Sequence, residues 1–155
     1  MPNHCHNRVT LYSSGNDTDE SRAQIQKIKQ IFEDENCFGQ IIPEPDWANT
    51  PLMTSELKRF GNDRGKVGEL PVNGRFQSTD RQDDRWYDWR VQNWDTKWDA
   101  YDVEGIDEDH DCVEIQFSTA WSPPEAICHK LREDYPDIAI SWFYDEPGCE
   151  IAGYL

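Results

Sequence analysis

The fold is decided by residues 112–144, which read CVEIQFSTAWSPPEAICHKLREDYPDIAISWFY. Apolar and polar residues alternate over 113–119, and this period of two is typical of a half-buried strand. The Ser-Pro-Pro-Glu run at 122–125 predicts the start of a helix, because Ser122 can cap it, proline fits its first position and glutamate follows three residues after the cap. Alternation returns over 138–144. The stretch therefore predicts a strand, a helix and a second strand.

A strand and a helix are also predicted near the start of the chain. Residues 7–12 alternate between apolar and polar side chains, as in a half-buried strand. Apolar residues then recur at helical spacing and predict a helix over about 18–35. Asp17 and Glu20 stand at its start with the spacing of a capping box.

The middle of the chain has a different character. Prolines and glycines interrupt every periodic pattern over 38–84, and only residues 54–60 are expected to form a short helix there. Residues 85–92 predict another short helix. An irregular stretch of this length is unusual inside a compact domain and is often functional.

The remaining elements complete a recognisable order. A strand at 98–106 is joined by an acidic turn to the strand at 112–121, and a last short strand is predicted at 150–155. Without an insertion at 38–92 and the C-terminal strand, the order is βαββαβ, the ferredoxin-like pattern. We therefore predict one α+β domain of residues 1–155. It has an antiparallel sheet with two helices on one face, a long irregular insertion after helix 1 and an extra C-terminal strand.

The net charge limits the classes of partner. The chain has 31 acidic and 15 basic residues, a formal net charge of −16. Phosphates and anionic lipids repel such a polyanion, so direct binding to nucleic acid or membrane is not expected. Seven Trp, six Tyr and six Phe supply more core-forming surface than a disordered chain carries. Because the sequence has neither a long apolar run nor a secretory leader, we expect a cytoplasmic protein.

Three clusters contain residue types that can carry chemistry. His4 and His6 share one face of a strand and can hold a transition metal together, but two ligands do not complete a site. Cys128 and His129 are neighbours on a helix and do not face one another. The acids of the turn at 107–111 can bind calcium, but they lack the residue order of a calcium-binding loop.

The five cysteines are scattered and contain no C-x-x-C pair, which predicts reduced thiols packed as small apolar residues. Cys112 has His110 nearby, but Asp109 and Asp111 would raise the pKa of its thiol. We therefore predict no catalytic residue, no metal and no cofactor.

Several motifs occur together in a familiar order. They are Met1-Pro2-Asn3 with Cys5 and Asn7, Ile42-Pro43-Glu44-Pro45, Trp89 with Asn93-Trp94-Asp95-Thr96-Lys97-Trp98, Phe117-Ser118-Thr119-Ala120-Trp121-Ser122-Pro123-Pro124, and Glu146-Pro147-Gly148 near Gly153. In this order and spacing the chain resembles the Api92-like family of bacteriophages and conjugative plasmids, to which YubB-like plasmid proteins are also similar. The resemblance implies a ferredoxin-like domain on a mobile genetic element, and it implies no reaction. It favours an inhibitory role, since small acidic proteins of such elements often inhibit host machinery.

Two positions depart from the pattern of that family. The family usually has tryptophan where His4 stands and glycine where Asp95 stands. We therefore expect the turn before Trp98 to differ in this chain.

The tryptophans are assigned two roles. Trp94, Trp98, Trp121 and Trp142 lie in or beside predicted strands and are expected in the core. Trp86 and Trp89 fall in the irregular stretch and are better candidates for a contact surface.

Negative charge is most concentrated between residues 80 and 111. This window holds twelve acidic and four basic residues, a net charge of −8. Asp102 and Glu104 lie two residues apart on a strand, so we expect a negative open sheet face that does not bind RNA. Spaced carboxylates can instead imitate phosphates, although an acidic surface can also serve solubility alone. The predicted partner-binding residues are Trp86, Trp89, Asp99, Asp102, Glu104, Asp107, Glu108, Asp109, Asp111 and Glu114.

These features lead to one main hypothesis and two alternatives. The main hypothesis is a non-enzymatic protein that binds and inhibits or modulates a host protein with a basic, nucleic-acid-binding surface. The first alternative is an enzyme or sensor that binds a metal or small molecule in a cleft under residues 38–84. The second is a homo-oligomeric module that pairs through its edge strands.

Overall fold

The computed structural model of the chain describes residues 3–50, 84–109 and 112–155. Contacts divide the chain into two compact units, one of Met1–Pro43 with Arg90–Leu155 and one of Glu44–Trp89. The interpretation of residues 1–155 as a single domain stays a prediction. The helix predicted at 54–60 lies outside the described residues.

Five strands and four α-helices are present in the described ranges, with a 3-10 helix at Trp47–Asn49. In chain order they are β1 (His4–Ser13), α1 (Asp19–Glu33), α2 (Cys37–Ile41), α3 (Arg85–Trp94), β2 (Tyr101–Glu108), β3 (Cys112–Ala120), α4 (Glu125–Asp134), β4 (Ile138–Glu146) and β5 (Ile151–Tyr154).

The strands form one antiparallel sheet in the order β2-β3-β1-β4-β5. Strand β1 lies in the centre, where Val9 is paired with Ile115 of β3 and Trp142 of β4. The first four strands have the ferredoxin-like order, and β5 extends the sheet beyond β4. The predicted fold class is therefore confirmed, including the extra C-terminal strand.

The core lies between the sheet and the helices. Phe117 of β3 packs against Phe32 of α1 and Trp142 of β4, with ring centroids 5.1 and 5.6 Å apart. Ile127 and Leu131 of α4 are also fully buried. On β1 the buried residues alternate with exposed ones, so one face of the sheet carries the helices and the other is open.

The cap of α1 differs from the predicted one. Thr18 is the N-cap: its hydroxyl accepts from the backbone N–H of Ser21, and the Ser21 hydroxyl accepts from the Thr18 N–H. Asp17 instead accepts from the guanidinium of Arg22. The prediction of Asp17 and Glu20 as the capping pair was wrong because serine replaces the usual glutamate at the third helical position.

The irregular stretch was predicted to begin at residue 38, and this start was wrong. Residues 37–41 form α2, and the ring of Phe38 is fully buried against those of Trp94 and Phe117. A five-residue helix is too short to show a helical period, so its sequence gives no such signal. The bounds of the insertion at 38–92 stay a prediction, and the separate compact unit is Glu44–Trp89.

The start of α4 is also capped differently. Pro124 is the N-cap and provides no side-chain bond, while the Ser122 hydroxyl donates to the backbone oxygen of Asp95. The Asp95 carboxylate accepts from the backbone N–H of Ala126, at 2.8 Å. A residue from the α3–β2 connection thus replaces the local cap that the sequence predicts.

Candidate partner-binding surface

The open face of the sheet carries a mixture of charges and rings. On β1, His4, His6, Arg8 and Tyr12 are exposed on this face. A continuous row crosses all five strands of the sheet, because paired residues share a face. The members of this row are Glu104, Gln116, Arg8, Phe143 and Tyr154.

Within that row the polarity changes from one edge to the other. The guanidinium of Arg8 lies 5.3 Å from the centre of the Phe143 ring, and Phe143 packs edge-on against Tyr154. Most acidic residues of this face lie on the β2–β3 side, and Asp145 of β4 lies opposite His6. The expected negative charge of the open face is thus concentrated on its β2–β3 side.

The pairing of β2 with β3 shifts register twice in the segment of β2 that contains its acidic residues. Tyr101 is paired with Ser118 and Glu104 with Gln116, so β2 advances three residues while β3 advances two. The extra residue marks a bulge, and Asp102 within it has a φ of 49°, in the left-handed region. A second register shift separates Glu104 from Asp107.

Four acids of this hairpin lack a cationic partner within the described part of the chain, and we call them the hairpin acids: Asp102, Glu104, Asp107 and Glu114. Asp107 is directly opposite Glu114 in the pairing register. Like charges placed opposite one another destabilise a sheet. The arrangement leaves this side of the open face strongly negative.

Glu108 and Asp99 lie elsewhere. Glu108 is opposite Val113, whose side chain is buried on the helix-bearing face, and its carboxylate accepts from Gln26 and Lys29 of α1. The hydrogen bond from Lys29 lowers the pKa of Glu108. The predicted acids therefore do not form one array, because the bulges change which face each residue occupies.

Asp99 stabilises the fold and does not belong to the acidic surface. Its carboxylate accepts from the backbone N–H of Phe38 at 2.9 Å and of Ala100 at 2.8 Å, and so binds the first turn of α2. Burial raises the pKa of Asp99. The backbone N–H of Asp109 donates to the carbonyl of Cys112 at the end of the hairpin, and Asp111 lies outside the described residues.

Trp86 and Trp89 belong to the Glu44–Trp89 unit and are both partly exposed. The Trp89 ring packs edge-on against Trp47, at 6.4 Å between centroids. The guanidinium of Arg85 lies over the same Trp47 ring and donates to two backbone carbonyls. Their role as partner contacts stays a prediction.

The four tryptophans assigned to the core divide into two pairs. Trp94 and Trp142 are fully buried, as predicted, whereas Trp98 and Trp121 are 38% and 47% exposed. Trp121 also has a φ of 73°, which a bulky residue rarely adopts. The prediction of a buried position was wrong for Trp98 and Trp121. Both lie in connections, Trp98 after the end of α3 and Trp121 directly after the end of β3.

Exposed rings gather at the end of the sheet near the start of β1. The Tyr101 hydroxyl lies 2.6 Å from Nδ1 of His4, and its ring packs edge-on against Trp98. The ammonium of Lys97 lies 4.4 Å from the centre of the Trp98 ring. Sequence reasoning missed this cluster, since His4 and Tyr101 are 97 residues apart.

The motifs that define the family resemblance meet in the fold. The Thr96 hydroxyl donates to the carbonyl of Ala120, which joins the two tryptophan-containing runs. Asp95 has a φ of 63°, in the region that favours glycine, so the turn before Trp98 keeps the conformation that a glycine would adopt. The expectation that this turn differs from that of the family stays a prediction.

A buried polar network lies beneath the centre of the sheet. The Asn7 amide donates to the Thr119 hydroxyl at 2.9 Å and to the Cys5 carbonyl, and its oxygen accepts from the indole N–H of Trp142 at 3.0 Å. Thr119 in turn donates to the carbonyl of Ser122. The network holds motif residues in place and is closed to solvent, so its role is structural.

A cleft of about 280 Å³ opens on the open face beside the bulge of β2. Its polar lining comes from β1, β2 and β3, and it includes two of the hairpin acids. The lining side chains that reach it from the open face are His6, Asp102, Glu104, Gln116 and Ser118.

The thiols are poor nucleophiles. Burial raises the pKa of Cys5 and Cys128 to about 11 and that of Cys37 to about 12. A hydrogen bond to the Glu146 carboxylate raises the pKa of the exposed Cys149 thiol. These four thiols therefore stay protonated at neutral pH.

Within residues 3–50, 84–109 and 112–155, no three histidine, cysteine, aspartate or glutamate side chains are grouped to hold a metal ion. No helix there is both long and apolar enough to cross a bilayer.

Comparison with known proteins concerns mainly the C-terminal part of the chain. Residues 93–155 match a family model described as the ferredoxin-like domain in Api92-like protein. The crystal structure of a protein api92 from Yersinia pseudotuberculosis aligns with 99% of this chain and 93% of its own, at 12% identity and a TM-score of 0.48. No curated protein matches the sequence. Over residues 93–155 the chain is thus similar to the ferredoxin-like domain of Api92-like proteins.

Proposed function

We propose that this chain is a non-enzymatic accessory protein of a phage or plasmid. It binds a basic surface of a host protein in the bacterial cytoplasm and occupies a surface that otherwise binds nucleic acid. The observation that carries the proposal is the pairing of Asp107 with Glu114, beside Asp102 and Glu104, with no cation of the described chain to neutralise them.

Asp107 and Glu114 form a like-charge pair across the hairpin. Opposed carboxylates on neighbouring strands repel one another and cost stability in the isolated chain. A basic partner removes that repulsion on binding and gains attraction to all four hairpin acids. A mixed surface kept only for solubility gives no reason to place two carboxylates in register.

The thiols support both the non-enzymatic and the cytoplasmic parts of the proposal. All five cysteines are unpaired, which suits a reducing compartment. Four of them have a raised pKa, which removes the usual means of activating a cysteine nucleophile.

The test is capture of partners from lysate of the natural host on immobilised protein. We expect a captured protein with a basic nucleic-acid-binding surface, whose retention falls with salt and with added duplex DNA. The informative variant is Asp107→Lys/Glu114→Lys, because it reverses the charge but keeps the like-charge repulsion between the strands. It should abolish retention.

The matched control is Glu35→Lys/Glu133→Lys, which changes the net charge equally on exposed helix-side positions. Retention should survive this control. Equal loss in both variants, or capture that neither salt nor DNA weakens, would contradict docking through the hairpin acids.

A homo-oligomer is a second candidate, and the β5 edge favours it. Strand β2 is protected from further pairing by bulges and acids, whereas the described part of β5 is uncharged and exposes Ile151 and Tyr154. Light scattering tests this directly. A dimer that Ile151→Lys converts to a monomer supports pairing through β5, and a monomer at all concentrations excludes it.

A further inference from the structure

The cleft beside the β2 bulge has a hydroxyl group in its wall that is open to a ligand. Ser118 is only 7% exposed, and its hydroxyl has no hydrogen-bond partner in the described part of the chain. The Ser118 side chain lies on the open face, opposite Tyr101 and His6, and lines the cleft. A polar group that enters the cleft in place of solvent can therefore bond this hydroxyl.

The other polar groups of the lining define the chemistry of that entering group. Asp102 and Glu104 contribute two carboxylates without an ion-pair partner among the described residues. The amide nitrogen of Gln116 donates to Glu114, which leaves the amide oxygen of Gln116 available to accept. Acceptors predominate and the local charge is negative, so the cleft excludes anions and suits a cation with several donors.

Among protein side chains, arginine fits this set best. Its planar guanidinium carries five N–H donors in a fixed fork and pairs with carboxylates through two parallel bonds. Lysine has three donors on a compact, strongly hydrated ammonium and makes no such fork. Four acceptor-bearing side chains on two different strands match the spread of a guanidinium better than that of a point charge.

We propose that this cleft receives the guanidinium group of an arginine on the partner protein. The inference rests on the proposed function, and it deepens that function by assigning one docking position within the acidic surface. The carboxylates of Asp102 and Glu104 hold the charge, and the Ser118 hydroxyl and Gln116 amide oxygen accept the remaining N–H groups.

The test uses N-acetyl-arginine methylamide as the probe, with the matching lysine and citrulline compounds for comparison. Amide chemical shifts of 15N-labelled protein are followed during titration. We expect saturable shifts centred on residues 102–104 and 116–118 with the arginine compound, at least tenfold weaker binding of the lysine compound and none of the neutral citrulline compound.

Two variants separate the cleft from general electrostatics. Glu104→Gln and Ser118→Ala should each weaken the arginine probe at least fivefold, while Asp107→Asn outside the cleft should change it less than twofold. Retained dispersion of the amide spectrum shows that each variant is folded. No saturable shift in the wild-type chain, or equal binding of arginine and lysine compounds, overturns the proposal.

The same variants distinguish this proposal from the proposed function. If Glu104→Gln weakens the probe but leaves the captured partner bound, arginine docking is overturned and the basic partner stands. If the probe binds and no basic partner is captured, the assignment to a partner arginine fails together with the proposed function. Loss of both the probe and the partner in Glu104→Gln and Ser118→Ala supports the two proposals together.

Discussion

Replacement of Asn7 by leucine tests the buried polar network at the centre of the sheet. Asn7 is 3% exposed, and its amide is bonded to Thr119 and Trp142, both of which are fully buried. Leucine has a similar volume but leaves the indole N–H of Trp142 without an acceptor and removes a donor from Thr119. Each buried group that loses its partner costs about 1–3 kcal/mol.

Because Thr119 keeps its own bond to the Ser122 carbonyl, we expect Asn7→Leu to lower the free energy of unfolding by about 2–4 kcal/mol. Urea unfolding followed by near-UV circular dichroism measures this change, and the dependence on urea should stay the same. Thr10→Leu is the matched control, since Thr10 lies on the same strand but faces the open side. It should change stability by less than about 0.5 kcal/mol.

A double-mutant cycle identifies the cause. Asn7→Leu combined with Trp142→Phe removes the unpaired indole N–H, so the pair should cost less than the sum of the two single changes by about 1 kcal/mol or more. Strict additivity, or an Asn7→Leu cost no larger than that of Thr10→Leu, would refute the argument that this network is needed to satisfy buried groups.

Three further changes test local features. Thr18→Ala removes the α1 cap and should cost about 1 kcal/mol of unfolding free energy, whereas Asp17→Ala should cost clearly less; equal costs would contradict the cap assignment. Asp95→Ala loses both the bond to Ala126 and the tolerance of a positive φ, and should cost about 1–2 kcal/mol in thermal unfolding, while Asp95→Asn keeps most of both. The folded pKa of Glu146 is lowered by hydrogen bonds from Cys149 and Gly148, so its ionised form stabilises the fold above the unfolded pKa and that contribution is lost as pH falls. The stability difference between the wild-type chain and Glu146→Gln should therefore be largest near pH 7 and vanish in acid. The same variant should make the Cys149 thiol react faster with a disulfide reagent at pH 8, and a slower reaction would exclude the proposed bond.

The sequence predicts those parts of the fold that depend on local periods. Strand β3 and the start of β4 fall where alternation places them, because an uninterrupted pleat exposes every second side chain. The cap of α4 was missed because its acceptor, Asp95, is 31 residues away from Ala126. Helix α2 was missed because one turn of helix has no period, and its bond to Asp99 spans 61 residues of sequence.

The candidate surface was only partly predictable, and the reason is the β2 bulge. In a regular strand side chains alternate between the two faces, which would place Asp102, Glu104 and Glu108 on the same face. Two register shifts move Glu108 to the helix-bearing face, beside Lys29. Bulges are set by pairing with β3, so no pattern within β2 alone reveals them.

The row of residues across the open face gives the proposed interface a direction. Its β2 end is acidic at Glu104, its centre holds Arg8 beside Gln116, and its β4–β5 end is aromatic at Phe143 and Tyr154. Arg8 lies over the Phe143 ring, so its charge is directed toward the aromatic end and away from the hairpin acids. A partner that lies along this row must therefore place its basic side chains over β2–β3 and apolar surface over β5. Charge then sets mainly the association rate, and burial of the exposed Tyr154 ring sets mainly the dissociation rate.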